Sequence, residues 1–192
     1  MSPFEYALGL ISILMSLALA DVVVDLHRLI RHAKTVVWDG RALVAAALVI
    51  VEIIRTWFAQ WALRDLDVAL NFPVYVALFG HILLLVVTAI ACLPDDLGEG
   101  CDLSRFYDQN RRYFWGAFSA TQFAYFLLWL LFGGNQSSVG GQVGWIDWAR
   151  ILGPLTAYLL LALLRKRWPD YALPLGVLLF YFWRYWGQTL TP

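Results

Sequence analysis

Residues 49–61 read VIVEIIRTWFAQW, which sets a carboxylate and a guanidinium three positions apart inside a run of hydrocarbon side chains. Glu52 and Arg55 at that spacing stand on adjacent turns of one helix face and can pair. His81 and Gln122 are polar groups placed deep in later apolar stretches. A glutamate and a histidine within hydrogen-bond reach can pass a proton, whereas a glutamate closed on an arginine can join helices. A charge left unpaired within a membrane costs about 3 kcal/mol or more, so such residues mark either function or a packing device. Both uses remain open here. Taken alone, His81 is a hydrogen-bonded core histidine rather than a ligand or proton carrier.

The elements that must carry these residues are membrane helices. Hydrophobic residues make up 61% of the 192 and charged residues only 15%, against roughly a quarter charged in a soluble domain. The apolar residues fall into blocks of about 20, the length that crosses a bilayer. Six spans are expected, at residues 4–26, 42–63, 72–93, 113–132, 145–164 and 171–187. Asn71, Pro73, Pro94, the stretch GGNQSSVGGQVG (133–144), Pro169 and Pro174 punctuate them. No Lys or Arg precedes the first run and Glu5 stands near its start, so that run is expected to be a retained helix.

Orientation follows from the basic residues. Arg28, Arg31, Lys34 and Arg41 lie in the first connection; Arg105, Arg111 and Arg112 in the third; Arg165, Lys166 and Arg167 in the fifth. The second connection holds only Arg64. Basic connections stay cytoplasmic. The sequence therefore predicts an all-α membrane protein: one domain (1–192), a bundle of six transmembrane helices, with both termini on the outer side.

At about 100° per residue, Ala45, Glu52, Arg55, Thr56 and Ala59 share one face of the second helix, and Leu43, Ile50, Ile54, Trp57 and Trp61 the other. The charged pair should face other helices, with the tryptophans toward lipid. At about 1.5 Å per residue, Glu52 lies some 15 Å from the inner boundary, close to the midplane. His81 and Gln122 reach the same level, and Arg55 sits one turn further out. Glu5, Asp147, Arg150 and Arg184 form an expected outer-leaflet charged cluster suited to an anionic headgroup or carboxylate. Glu5, Gly9, Ser12 and Ser16 make a small, polar seam on the first helix.

Trp57, Trp61, Trp145, Trp148, Trp183 and Trp186 fall near outer span ends, and Trp38, Trp115 and Trp168 near inner ends, the distribution of an interfacial belt. On the cytoplasmic side, DVVVDLHRLIRH (21–32) aligns Asp21, Asp25, Arg28 and His32, and the 94–104 connection adds Asp95, Asp96, Glu99, Cys101 and Asp102. Their spacing matches no familiar metal site, so an acidic loop is the expectation and no metal or cofactor is assigned. DLSRFYDQNRRYFW (102–115) is an amphipathic lead-in that puts Arg111 and Arg112 at phosphate level.

Several chemistries are excluded. Lys34 and Lys166 both lie in connections, so no buried lysine is available for retinal. Only His81 is deep, too few for two haems. Zinc-hydrolase, serine-hydrolase and P-loop motifs do not occur. Net charge is zero and no basic tract appears, so no nucleic-acid partner is expected.

The FEY at 4–6 and the DL-x-x-F/Y…NRR-x-F segment at 102–114 resemble those of a group of small bacterial six-span proteins with no assigned activity. The resemblance implies a bacterial inner membrane and nothing about reaction. Two readings follow from the residues. The one expected here, because it makes the sharper predictions, is an oligomeric channel or transporter with a polar midplane site formed by Glu52, Arg55, His81 and Gln122. The other is a non-catalytic scaffold, sensor or partner subunit whose buried charges fix helix packing. Partners are the bilayer, an anionic lipid, and a second copy or another membrane protein. A Glu52 open to water or lipid favours transport, and a closed Glu52–Arg55 contact favours packing.

Overall fold

Two aspartates start helices. Asp39 accepts a hydrogen bond from the Arg41 amide at 2.8 Å and opens α2 (Gly40–Ala62). Asp102 accepts from the Arg105 amide at 3.1 Å and opens α4 (Leu103–Phe132). Each caps an amide that the first turn cannot satisfy internally. Pro169 and Asp170 begin α6 (Pro169–Tyr185), where a fixed φ and a negative charge both suit a helix N-terminus. The remaining helices are α1 (Pro3–Arg31), α3 (Phe72–Ile90) and α5 (Trp145–Leu163). The structure is a computed structural model; it describes residues 3–62, 72–95, 101–132, 145–164 and 167–186, and their side chains apart from 3–7, 61–62, 72, 131–132, 145–147 and 150.

The fold is all-helical, with no strand among the described residues. Three helices are long and apolar enough to cross a membrane, over Leu8–Arg31, Gly40–Gln60 and Pro73–Ile90. A shorter apolar helix covers Ile151–Leu163. The expected fourth span and its amphipathic lead-in are one continuous helix beginning at Leu103. Its first half is charged and its second half is rich in aromatic and hydroxyl residues, which lowers its hydropathy despite ample length.

Neighbouring helices run around the bundle in the order α1, α3, α4, α5, α6, α2, and α2 also reaches across to α3 and α4. On α1 the buried positions are Ile11, Met15, Ala18, Val22, Asp25 and Leu29, a seam repeating every three or four residues. The Gly9–Ser12–Ser16 seam does not pack inside the bundle: Gly9 and Ser16 are exposed, and a Cβ at Gly9 would meet nothing within 4 Å. Bulk decides this, since Ile11 and Met15 fill the core and glycine cannot. Large apolar side chains including Leu17, Ile54, Leu83, Leu130 and Leu179 point outward, as they do on a surface that lipid covers.

The tryptophans divide. Trp38, Trp57, Trp148, Trp168, Trp183 and Trp186 are exposed, as a belt requires. Trp115 is instead fully buried, stacked with Phe118 and Tyr158 and donating Nε1 to the Tyr107 hydroxyl at 3.0 Å. It sits on the face of α4 that meets α5, so helix phase overrides its position along the span.

Candidate functional site

At mid-bundle the four residues anticipated together are all buried. Glu52 is 0% exposed. Arg55 donates Nε to Glu52 Oε2 at 3.0 Å and Nη2 to Glu52 Oε1. Gln122 of α4 donates its amide to the same Oε1. Both carboxylate oxygens are thus engaged within the bundle. The Arg55 guanidinium lies over the rings of Tyr125 (4.4 Å) and Tyr181 (5.3 Å), so α4 and α6 hold it by cation–π contact. Sequence reasoning missed these tyrosines, although Tyr125 lies one helical turn beyond Gln122. The Tyr158 hydroxyl of α5 is buried without a well-aligned hydrogen bond.

His81 shares the level but not the network. Its Nδ1 donates to the Thr121 carbonyl at 3.1 Å, and its Nε2 has no partner. Neither nitrogen bonds Glu52, so the direct relay between them is not formed. The His81 ring stands 5.8 Å from that of Tyr125, which already covers Arg55. Below it, Thr88 and Thr121 hydroxyls meet at 3.1 Å, joining α3 to α4.

Two crevices flank this layer on opposite seams. One, about 370 Å³, lies between α2 and α6 and is lined by Arg55, Phe58, Tyr181 and Phe182. The other, about 440 Å³, lies between α3 and α4 and is lined by His81, Leu83, Val87 and Leu127.

A second cluster, unforeseen as a unit, closes the end where the basic connections meet. The Val37 amide donates to the Cys101 carbonyl at 2.8 Å and the Leu103 amide to the Val37 carbonyl at 3.1 Å, joining the first connection to the third. Arg41, 4% exposed, forks onto Asp39 (Nε–Oδ2 2.9 Å, Nη2–Oδ2 2.6 Å) and reaches Asp108 at 2.7 Å and Ser104 at 2.9 Å. Its guanidinium lies 4.8 Å from the Tyr107 ring centre. Arg111 Nη2 approaches Asp170 Oδ1 of α6 to 2.7 Å, an ion-pair distance without hydrogen-bond alignment. Arg111 therefore turns inward instead of toward lipid phosphate, and Arg112 alone of the two is exposed. Gly40 allows this convergence, because a Cβ there would press on the Tyr171 ring at 3.3 Å.

Burial governs the titration of this end. It pushes the Asp170 carboxyl up to about 6 despite Arg111 and Arg41, and the Tyr107 phenol up to about 12. Burial would raise Asp39 too, but hydrogen bonds from Arg41 outweigh it and hold that carboxyl below its ordinary value.

The expected outer cluster falls largely outside the described side chains: Glu5, Asp147 and Arg150 stand near the starts of α1 and α5, and Arg184 is half-buried in the last turn of α6. On α1, Arg28 pairs with buried Asp25 at 3.1 Å, and Asp21 Oδ2 has no partner. Among the described residues no group of three or more His, Cys, Asp or Glu is placed to hold a metal ion.

Fold and site together define a helical membrane protein with a closed polar layer at mid-bundle. No protein-family model, curated protein or solved structure matches the chain.

Proposed function

We propose that all six helices cross the bacterial inner membrane with both termini periplasmic, and that the protein is a non-catalytic scaffold, sensor or partner subunit. The topology is supported by the meeting of three basic connections at one end through Val37, Arg41, Arg111 and Asp170. The functional reading rests on one observation: Glu52 is wholly buried and both its oxygens are engaged by Arg55 and Gln122. A carboxylate so engaged is a structural clamp, since displacing either partner strands a charge in a low-dielectric interior. Its partners are lipid and another membrane protein or a second copy of this chain.

The channel or transporter reading keeps one supporting observation. Arg55 and His81 each line a crevice at the same level on opposite seams, which suits a substrate entering sideways from the bilayer. Proton and ion flux into proteoliposomes separates the two. The clamp predicts flux no greater than in protein-free liposomes. Flux that Glu52→Gln abolishes in a protein that remains folded would establish the transporter instead.

A further inference from the structure

His81, which the clamp does not use, is one of the residues that line the α3–α4 crevice. A backbone carbonyl only accepts, so the Nδ1 that meets Thr121 must carry the proton. In the neutral ring Nε2 is then a lone-pair acceptor. It is buried, His81 being 1% exposed, and it has no partner. Leaving such an acceptor unsatisfied is unfavourable, and native structures rarely do so without a reason.

The crevice narrows what can reach it from the lipid side. Gly80, Ala124, Leu83, Val87 and Leu127 make the walls there apolar, and a buried water needs two or more polar partners. A carboxylate cannot donate to a lone pair, and a cation would enter hydrocarbon at high cost. Leu83, Val87 and Leu127 are exposed on the outer face of the bundle, so the crevice opens sideways. Gly80 leaves room as well, since a Cβ there would touch nothing within 4 Å. At about 440 Å³ the crevice has the capacity of a small-molecule site.

We propose that this crevice binds an uncharged, lipid-soluble molecule bearing a hydroxyl group, which donates to Nε2 of His81. The inference rests on the reading that α3 and α4 lie in lipid, and it gives the sensor form of the protein a ligand class: phenols and long-chain alcohols.

The chain has three histidines, so ¹⁵N-histidine labelling in phosphatidylcholine nanodiscs yields few ring signals, and His81→Gln assigns one set. The probe is 4-hexylphenol, with 4-hexylanisole as the matched ether lacking a donor. The expected result is a saturable upfield shift of the His81 Nε2 resonance with the phenol, absent with the anisole. Gly80→Leu should fill the crevice and abolish that shift while the protein unfolds at a similar temperature. An unmoved Nε2, or equal shifts from both probes, would overturn the proposal, the second showing apolar filling only. A partner helix seated in the crevice would appear as copurifying protein that the phenol does not displace, and would equally overturn it. Lipid carrying a spin label at the acyl-chain centre broadens the His81 signals if α3 is embedded, so failure of that reading is seen independently of ligand binding.

Discussion

Arg55 closes on Glu52 through two hydrogen bonds within a single helix, Nε to Oε2 at 3.0 Å and Nη2 to Oε1. The ion pair is therefore contained within α2, and mutual neutralisation lowers the cost of placing both charges in hydrocarbon. Other helices add contacts to its remaining faces: Gln122 and Tyr125 from α4, Tyr181 from α6. The pair makes α2 insertable, and these three contacts specify what α2 packs against.

Gln122 tests that division. Replacing it with leucine keeps the volume but removes a donor from a buried carboxylate, a bond worth about 2 kcal/mol. Gln122→Leu should lower resistance to SDS-induced unfolding in mixed micelles by roughly that amount. Tyr181→Phe should cost little by the same measurement with respect to Arg55, because the ring and not the hydroxyl covers the guanidinium.

Arg41 is shared by Asp39, by Asp108 of α4 and, at 3.8 Å, by Asp170 of α6. Arg41→Ala would leave buried Asp39 without its cation and should cost about 3 kcal/mol in the unfolding assay. Arg41→Lys should recover only part, since an ammonium cannot reproduce the fork onto Asp39. Asp108→Asn should be nearly silent because Asp108 is 52% exposed.

Asp170 gives this end a pH dependence. An unfolded aspartate titrates near 4, whereas burial places folded Asp170 at about 6. Between these values the folded protein holds a proton that the unfolded chain has released, so the contribution is fully present below about 4 and is lost as pH rises through about 6. Asp39 runs oppositely: its contribution is present above about 4 and is lost as the pH falls through its depressed folded value. Thermal unfolding of wild type and Asp170→Asn from pH 4 to 7 should show wild type losing stability relative to the variant as pH rises. Parallel curves would contradict the assignment.

Topology is checked by thiol labelling. Cys92 and Cys101 are buried, which keeps background low. An impermeant maleimide should label Ser137→Cys in intact spheroplasts, and Lys34→Cys only after lysis. The reverse pattern would invert the proposed orientation.

The burial of Glu52 and Arg55 was legible in the sequence because helical period is a local property. Three or four residues per turn put Glu52, Arg55 and Thr56 on the buried face and Ile54 and Trp57 on the exposed one, as the structure has them. Depth alone brought His81 and Gln122 to the same level, but it carries no azimuth. Gln122 turns to Glu52, while His81, one helix over, turns its Nδ1 to the Thr121 backbone. The Arg41 cluster was not legible because its partners Ser104, Asp108 and Asp170 lie on helices far along the chain. Asp39 was near at hand, but an Asp-Gly-Arg stretch looks like any turn until Tyr171 and α4 close over it.

Glu52 and Arg55 hold their place in the bundle as a pair. A double-mutant cycle in mixed micelles tests it most directly, with Glu52→Leu, Arg55→Leu and the two combined. Each single variant should lose about 3–5 kcal/mol by stranding the other charge, and the double variant should lose far less than the sum. Additive losses, or single variants as stable as wild type, would show that the two residues do not act as a pair.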